Sequence, residues 1–125
     1  MPTRAKRKRA DNGMVGKAIA YLATQEGFYA ERRNSGALKV GDRFITLGST
    51  GVLDVSGYYT PPRGLAVYWE LEAKSSTGKL RPSQEKRIAM LTKARVPFCV
   101  VRTLDDVRNF VIELRARVAA LSAVA

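Results

Sequence analysis

Residues 65–74 restrict the fold of this chain most, because apolar and polar side chains alternate along them with the two-residue period of a β-strand. One face of this strand carries Glu70, Glu72 and Lys74. The opposite face, which we expect to be buried, consists of Leu65, Val67, Trp69, Leu71 and Ala73. A charged row backed by an apolar row predicts a strand with the core of the protein on one side.

The residues that follow predict how this strand continues into the fold. Residues 82–95 carry apolar side chains at helical spacing, and Pro82 suits the first position of a helix. Residues 97–101 are apolar throughout, as in a central strand covered on both faces. This order predicts a strand, a helix and a second, parallel strand joined by a right-handed crossover.

The rest of the chain adds helices and strands on both sides of this unit. Residues 14–25 predict a first helix, and residues 52–59 predict a strand next to residues 65–74. Thr103 and Asp106 have the spacing of a capping box for a last helix. Three short strands, expected to form an antiparallel meander, cover residues 28–33, 37–40 and 43–47. We therefore expect an α/β sandwich with a central mixed sheet flanked by helices.

The charge of the chain favours a polyanionic partner such as nucleic acid. The 125 residues carry a formal charge of +11, and five basic residues with no acid lie in residues 1–10. Residues 11–125, which we expect to form a single domain, still hold 17 basic against 11 acidic residues, a charge of +6. We expect residues 1–10 to be a disordered basic arm, either along phosphates or solvated, and a well-solvated surface is the alternative for the body.

The chain contains no histidine, which excludes histidine general bases and histidine metal ligands. Any bound metal must be held by oxygen, and oxygen ligands suit Mg²⁺ or Mn²⁺. Cys99 is the sole cysteine and lies in an apolar run, so we expect a buried residue in a reducing compartment. No segment is apolar enough to span a membrane or to act as a secretory signal, so we expect a soluble, cytoplasmic protein.

The polar residues on these elements predict a site for phosphodiester hydrolysis. Asp54 and Glu72 can hold a divalent ion together with the backbone carbonyl of Ala73, and Lys74 can orient water or phosphate. Gln84 lies four residues before Ile88 on the predicted helix, which directs it toward the sheet. The alternative is a solvated edge strand with cross-strand ion pairs. The combination of Asp54, the Lys74 spacing and Gln84 favours the site.

Several segments in this order make the chain resemble the virus-type replication-repair nuclease (VRR-NUC) domain of the PD-(D/E)xK nuclease superfamily. The similarity extends from the first helix to about residue 107. The segments are Arg33-Asn34-Ser35-Gly36-Ala37, Gly51-Val52-Leu53-Asp54, Glu72-Ala73-Lys74, Gly78-Lys79-Leu80, Ser83-Gln84 and Val100-Val101-Arg102-Thr103-Leu104-Asp105-Asp106.

The resemblance implies a restriction-endonuclease-like α/β/α sandwich and a Mg²⁺- or Mn²⁺-dependent endonuclease without an organic cofactor. It implies action on branched DNA such as Holliday junctions, as a homodimer associated with the nucleoid. By position it makes Asp54 and Glu72 the metal carboxylates and Lys74 the catalytic lysine, with Gln84 as their supporting polar residue.

The chain departs from the pattern of that family in two places. Leu53 stands where the family usually has proline, which should alter the start of the strand and keep the carboxylate. The first helix has no acid where one is expected, at Val15-Gly16-Lys17. Asp11, Glu26 and Glu31 are possible substitutes, and the position is left unassigned.

The sequence gives less support for a function of other residues near the predicted site. Glu70 lies outside the motif by its register and is expected to be a supporting or surface residue. The candidates for phosphate contact, each also readable as an ordinary surface charge, are Arg32, Arg33, Lys79 and Arg81. The candidates for stacking on unpaired bases are Tyr58, Tyr59 and Tyr68.

Two further functions are compatible with the sequence. The chain could be a basic nucleic-acid-binding module without catalysis, in which the acids serve only in ion pairs. It could also be a sequence-specific nuclease of the restriction type, although no recognition insertion is evident in 125 residues.

Overall fold

A computed structural model of the chain describes residues 4–33, 37–46 and 52–124. Residues 34–36 and 47–51, which include a predicted turn and parts of the family resemblance, lie outside these ranges. In chain order the elements are α1 (Arg4–Ala23), β1 (Phe28–Arg32), β2 (Ala37–Val40), β3 (Arg43–Thr46), β4 (Val55–Tyr59), β5 (Val67–Ala73), α2 (Pro82–Lys93), β6 (Phe98–Val101) and α3 (Leu104–Val124).

Four strands form a mixed sheet in the order β1-β4-β5-β6. The pairs β1/β4 and β4/β5 are antiparallel, and β5/β6 is parallel across helix α2, which confirms the predicted strand-helix-strand order and the parallel pairing. Strand β6 lies at an edge of this sheet, so its predicted central position is wrong. The predicted meander is wrong, because β2 and β3 form a separate antiparallel pair and β1 pairs with β4. A two-residue period identifies strands but does not specify their partners.

Gly57 allows β1 to lie against β4. A Cβ atom at this position would fall 1.7 Å from the carbonyl oxygen of Tyr29 in β1 and 2.7 Å from the Trp69 ring in β5. No side chain fits there, so the glycine is a condition of the β1/β4 pairing.

One face of the sheet is apolar and is covered by α1 and α3. Trp69, Leu71 and Ala73 of β5 are buried on this face, and the Trp69 ring meets Phe110 of α3 edge-on at a centroid distance of 5.8 Å. The other core residues of the two helices include Val15, Ala18, Leu22, Val107, Val111 and Leu114. This packing confirms the apolar side of β5 that the alternation predicts.

The opposite face carries the acids of β5 and is covered by α2, whose Gln84 and Arg87 contact Glu72 and Glu70. Helices therefore lie on both faces of a mixed sheet, and the fold is the predicted α/β sandwich. The polar layer lies between β5 and α2, so any chemistry of these acids takes place on that side.

Three details refine the predicted elements. Helix α1 begins at Arg4, so most of the segment expected to be a disordered arm is helical. Strand β5 begins at Val67, and Leu65, expected to be buried, is 90% exposed in the preceding turn. The capping box of α3 is confirmed, since Asp106 N–H donates to Thr103 Oγ1 at 3.2 Å and Thr103 N–H donates to Asp106 Oδ2 at 3.1 Å.

Among the helices within residues 4–33, 37–46 and 52–124, none is both long enough and apolar enough to span a membrane.

Candidate active site

Four of the predicted site residues meet at one end of the sheet, although they come from separate segments. Asp54 directly precedes β4, Glu72 lies near the end of β5, Lys74 directly follows β5, and Gln84 lies in the first turn of α2. The β4/β5 pairing and the crossover to α2 bring these segments together. Glu72, Lys74 and Gln84 are 1%, 7% and 3% exposed, and Asp54 is half-buried.

Each of the two carboxylates accepts a hydrogen bond from the backbone of the other strand segment. The N–H of Asp54 donates to Glu72 Oε2 at 3.3 Å, and the N–H of Ala73 donates to Asp54 Oδ2 at 3.2 Å. The N–H and C=O of one strand residue point to the same side, so the Ala73 carbonyl also lies on the side of Asp54. The three predicted metal ligands therefore face one another.

Lys74 brings a positive charge to the carboxylates. Its Nζ lies 3.6 Å from Glu72 Oε1, and 8% of its side chain is exposed. The following loop packs on its stem, since a Cβ atom at Gly78 would lie 3.5 Å from Lys74 Cδ. A buried ammonium requires carboxyl groups close to it, and Lys74 contacts Glu72, which lies beside Asp54.

Gln84 faces the sheet, as its helical spacing predicts. Its Nε2 donates to Glu72 Oε1 at 2.5 Å, and its Oε1 accepts the N–H of Arg81 at 2.8 Å. Because the Arg81 N–H can only donate, the amide orientation of Gln84 is determined and its NH₂ points to the carboxylate. Gln84 thus joins the beginning of α2 to the Glu72 side chain.

Glu72 has the most perturbed acidity in the cluster. Burial, together with the charge of Asp54, raises the pKa of Glu72 from 4.5 to about 8, although Lys74 acts in the opposite direction. A carboxyl group with such a pKa holds a proton near neutral pH and loses it to water when a cation binds beside it. Perturbed carboxyl groups of this kind are concentrated at functional sites.

Glu70 is a buried ion-pair residue, so of the two positions expected for it, supporting or surface, the surface position is wrong. It is 0% exposed and accepts hydrogen bonds from Arg87 Nε at 3.2 Å, Arg87 Nη2 at 2.5 Å, the Tyr68 hydroxyl at 2.9 Å and the Leu53 N–H at 3.2 Å. Burial alone would raise the pKa of Glu70, but the bonds from Arg87, Tyr68 and Leu53 lower it overall, so the group stays ionised.

Two arginines next to the site are absent from the sequence prediction. Arg87 follows Gln84 by three residues, and this helical spacing is the signal that would have placed it on the same face of α2. Arg102 Nη1 donates to the carbonyls of Ser75 at 2.6 Å and Gly78 at 2.7 Å. Arg102 thereby ties the loop after Lys74 to the end of β6.

The predicted phosphate contacts divide between the two faces of the sheet. Arg33 lies beside the site, because its N–H donates to the Asp54 carbonyl at 2.7 Å. Arg32 pairs with Val55, whose side chain is in the core, so Arg32 projects from the face opposite Glu72 and the prediction is wrong for this residue. Lys79 and Arg81 are exposed on the loop between Lys74 and α2.

Within the described part of the chain, no third acid joins Asp54 and Glu72. Val15, in the part of α1 where an acid was expected, is 2% exposed in the core. The candidate Glu31 lies near the Tyr29 hydroxyl, Glu26 is exposed, and the Asp11 side chain lies outside the described part of the chain. Among the described residues, no group of three or more acidic or cysteine side chains is placed to hold a metal ion.

Tyrosines form a row on the face that carries the site. Tyr29, Tyr58 and Tyr68 occupy one cross-strand row of β1, β4 and β5 and are 47%, 45% and 41% exposed. Tyr59 is 6% exposed on the apolar face and cannot stack on a base, so that part of the prediction is wrong. Tyr29 takes its place in the exposed row.

Comparison of the chain with protein-family models, with curated proteins and with solved structures found no match. The resemblance to the VRR-NUC domain therefore remains a prediction from the sequence motifs, and the proposal of a function depends on the geometry of the site.

Proposed function

We propose that this protein is a Mg²⁺- or Mn²⁺-dependent endonuclease that hydrolyses phosphodiester bonds in DNA. The observation that supports the proposal is the group formed at one end of the sheet by the half-buried Asp54 and the buried Glu72, Lys74 and Gln84. A metal-dependent hydrolase needs carboxylates that hold the ion and a cation near the reacting phosphate, and these residues supply both.

The donor atoms fit a hard divalent cation. Mg²⁺ is commonly bound through one or two carboxylates, and water and substrate phosphates complete its coordination. Asp54, Glu72 and the Ala73 carbonyl meet this requirement without a third acid. Each carboxylate has about four acceptor positions, so the bonds from Ala73, Gln84 and the Asp54 N–H leave positions for a cation.

A bound divalent ion would neutralise charge on the scissile phosphate and make a water molecule more acidic. The residues of the chain then orient the reactants. Lys74, 3.6 Å from Glu72, is placed to hold the attacking water or to stabilise charge that develops on the phosphate. Gln84 keeps the Glu72 carboxylate in place from α2. Arg33, Lys79 and Arg81 supply positive charge along the sides of the site for the DNA backbone.

The proposed substrate is branched DNA, such as a Holliday junction, cut by a homodimer. The family resemblance supports this finer assignment, and the charge of +11 is consistent with a polyanionic substrate. The exposed row of Tyr29, Tyr58 and Tyr68 offers rings on which unpaired bases at a branch can stack.

Cleavage of a labelled four-way junction and a duplex of the same sequence tests the proposal. Wild type should cut with Mg²⁺ or Mn²⁺ and not with a chelator, and we expect Glu72→Gln and Lys74→Met each to lose about 100-fold or more in rate. Glu85→Gln and Lys93→Met change exposed residues of α2 and should retain activity. Metal-dependent cutting that survives both site substitutions would remove this site from consideration.

A non-catalytic nucleic-acid-binding module is the second candidate. It is favoured by the exposed tyrosine row and by the presence of only two carboxylates in the described part of the site. Calorimetry distinguishes the two candidates. An absence of Mn²⁺ binding, together with salt-sensitive DNA binding that Asp54→Ala does not change, would favour the module.

A further inference from the structure

We propose that Glu70 and Arg87 are positioning residues that set the place of Asp54 in the metal site through the backbone N–H of Leu53. The inference depends on the proposed function, because it assigns the second acid of β5 a role in the same site. Glu70 is not a metal ligand in this arrangement, since Arg87, Tyr68 and Leu53 already occupy its two oxygens.

The short segment before β4 is held by successive acids of β5. Glu70 Oε1 accepts the N–H of Leu53 at 3.2 Å, and Glu72 Oε2 accepts the next N–H, that of Asp54, at 3.3 Å. The backbone pairing of β4 with β5 begins only at Val55. The carboxylates of Glu70 and Glu72 therefore accept the N–H groups of Leu53 and Asp54, which have no partner in that pairing. A shift of the Leu53 N–H would move the Asp54 carboxylate away from Ala73 and from Glu72.

Arg87 fixes the orientation of the Glu70 carboxylate. Its guanidinium bonds both oxygens, Nε to Oε1 at 3.2 Å and Nη2 to Oε2 at 2.5 Å, and it balances a charge that has 0% exposure. Arg87 and Gln84 lie three residues apart on one face of α2, and each bonds a different acid of β5. Helix α2 thus positions both acids, one at the metal site and one behind it.

The leucine at position 53 fits this arrangement. A proline has no N–H and could not donate to Glu70, so the arrangement requires another residue there. Leu53 replaces the usual proline of the family pattern and so adds a backbone N–H at this position. Glu70 accepts this N–H. The carbonyl of Asp54 is also held by Arg33, so the loss of the Glu70 bond should loosen Asp54 without releasing it.

Two double variants separate positioning from general stability. Glu70→Leu/Arg87→Met removes the ion pair and the acceptor for the Leu53 N–H. Glu70→Gln/Arg87→Met also removes the ion pair but keeps an oxygen that accepts this N–H, and its amide can donate to Tyr68. Replacing both members of a buried pair often leaves stability unchanged or higher, so both variants should fold, as thermal unfolding in chelator would show.

Calorimetric Mn²⁺ affinity and junction cleavage at saturating Mn²⁺ are the readouts. The Glu70→Leu/Arg87→Met variant (the leucine variant) should lose about 10- to 100-fold in Mn²⁺ affinity or cleavage rate, as is usual for groups that orient metal ligands. The Glu70→Gln/Arg87→Met variant (the glutamine variant) should stay within about threefold of wild type. If the leucine variant does not fold, Arg87→Lys is the substitute, because it keeps the charge without the bidentate hydrogen bonds to Glu70. It should show a smaller loss of Mn²⁺ affinity or cleavage rate.

Equal Mn²⁺ affinity and cleavage in wild type and the leucine variant would overturn the positioning role and leave the proposed function intact. An equal loss in both double variants would also overturn it, because the ion pair and not the Leu53 bond would then matter. A wild-type protein that neither binds Mn²⁺ nor cuts DNA would overturn the proposed function itself, and this inference with it.

Discussion

At the scale of single residues, the chemistry of the site depends on how Glu72 is buried. Glu72 is 1% exposed, and its carboxyl group accepts a hydrogen bond from Gln84 Nε2 and lies near both Asp54 and Lys74. The sequence predicts this residue, Asp54 and Lys74 from motif spacing. It does not predict Arg87 as the partner of Glu70, because that pairing depends on the rotation of α2 over the sheet.

The affinity for Mn²⁺ should rise with pH. Because the pKa of Glu72 is raised to about 8, a metal that binds this group below pH 8 must displace one proton. We expect the affinity to increase about tenfold per pH unit from pH 6 to pH 8 and to level off above it. Calorimetry across this range checks the slope, and a flat profile for wild type would contradict the assignment. Glu72→Gln should bind weakly at every pH.

The stability of the metal-free protein should fall as pH rises. The folded-state pKa of Glu72, about 8, exceeds the ordinary value of 4.5, so the group contributes stability that is fully present below pH 4.5 and is lost as pH rises through 8. Wild type in chelator should therefore melt at a lower temperature at pH 8.5 than at pH 6. Glu72→Gln, which cannot ionise, should show a smaller difference in Tm between these conditions. The same pH dependence in both proteins would show that Glu72 is not its source.

At the scale of secondary-structure elements, the predictions that rest on local patterns and on the strand-helix-strand connection are confirmed, and the predicted partner of β1 is wrong. The β5-α2-β6 crossover and the capping box of α3 follow from local patterns. The pairing of β1 with β4 requires contact between segments more than twenty residues apart, and the close fit at Gly57 that permits it is visible only in three dimensions.

Alanine substitutions at two glycines should have opposite effects. Gly57→Ala would place a Cβ atom 1.7 Å from the Tyr29 carbonyl oxygen, and we expect it to lower the free energy of unfolding by about 3 kcal/mol or more. Gly16→Ala, in α1, meets nothing within 4 Å and should raise it by about 0.5–1 kcal/mol. Denaturant titration measures both. A stable Gly57→Ala variant would contradict the β1/β4 pairing.

The loop between Lys74 and α2 should depend on Arg102. Arg102→Gln shortens the donor that binds the Ser75 and Gly78 carbonyls and should make the loop easier to open. We expect faster trypsin cleavage after the exposed Lys79 and a reduced cleavage rate on DNA. Arg108→Gln, on the exposed side of α3, serves as the control. Unchanged proteolysis in Arg102→Gln would show that this contact does not hold the loop.

At the scale of the whole molecule, the hydrophobic core and the candidate site lie on opposite faces of the sheet. The apolar face of the sheet packs against α1 and α3, and the opposite face presents the acids, Lys74 and the tyrosine row next to α2. The alternation in β5 predicts this division, and the charge of +11 predicts the class of partner. The position of Arg32 on the far face could not be predicted, because it depends on the pairing of β1 with Val55.

In the proposed function, Asp54 and Glu72 hold a divalent ion that permits cleavage of branched DNA. The most direct test is a cleavage map of a four-way junction labelled in turn on each strand, recorded with Mg²⁺ and with chelator. We predict paired, symmetrical cuts that require the metal and disappear in Glu72→Gln. An intact junction in the presence of Mg²⁺ or Mn²⁺, or cuts that persist in Glu72→Gln, would contradict the claim.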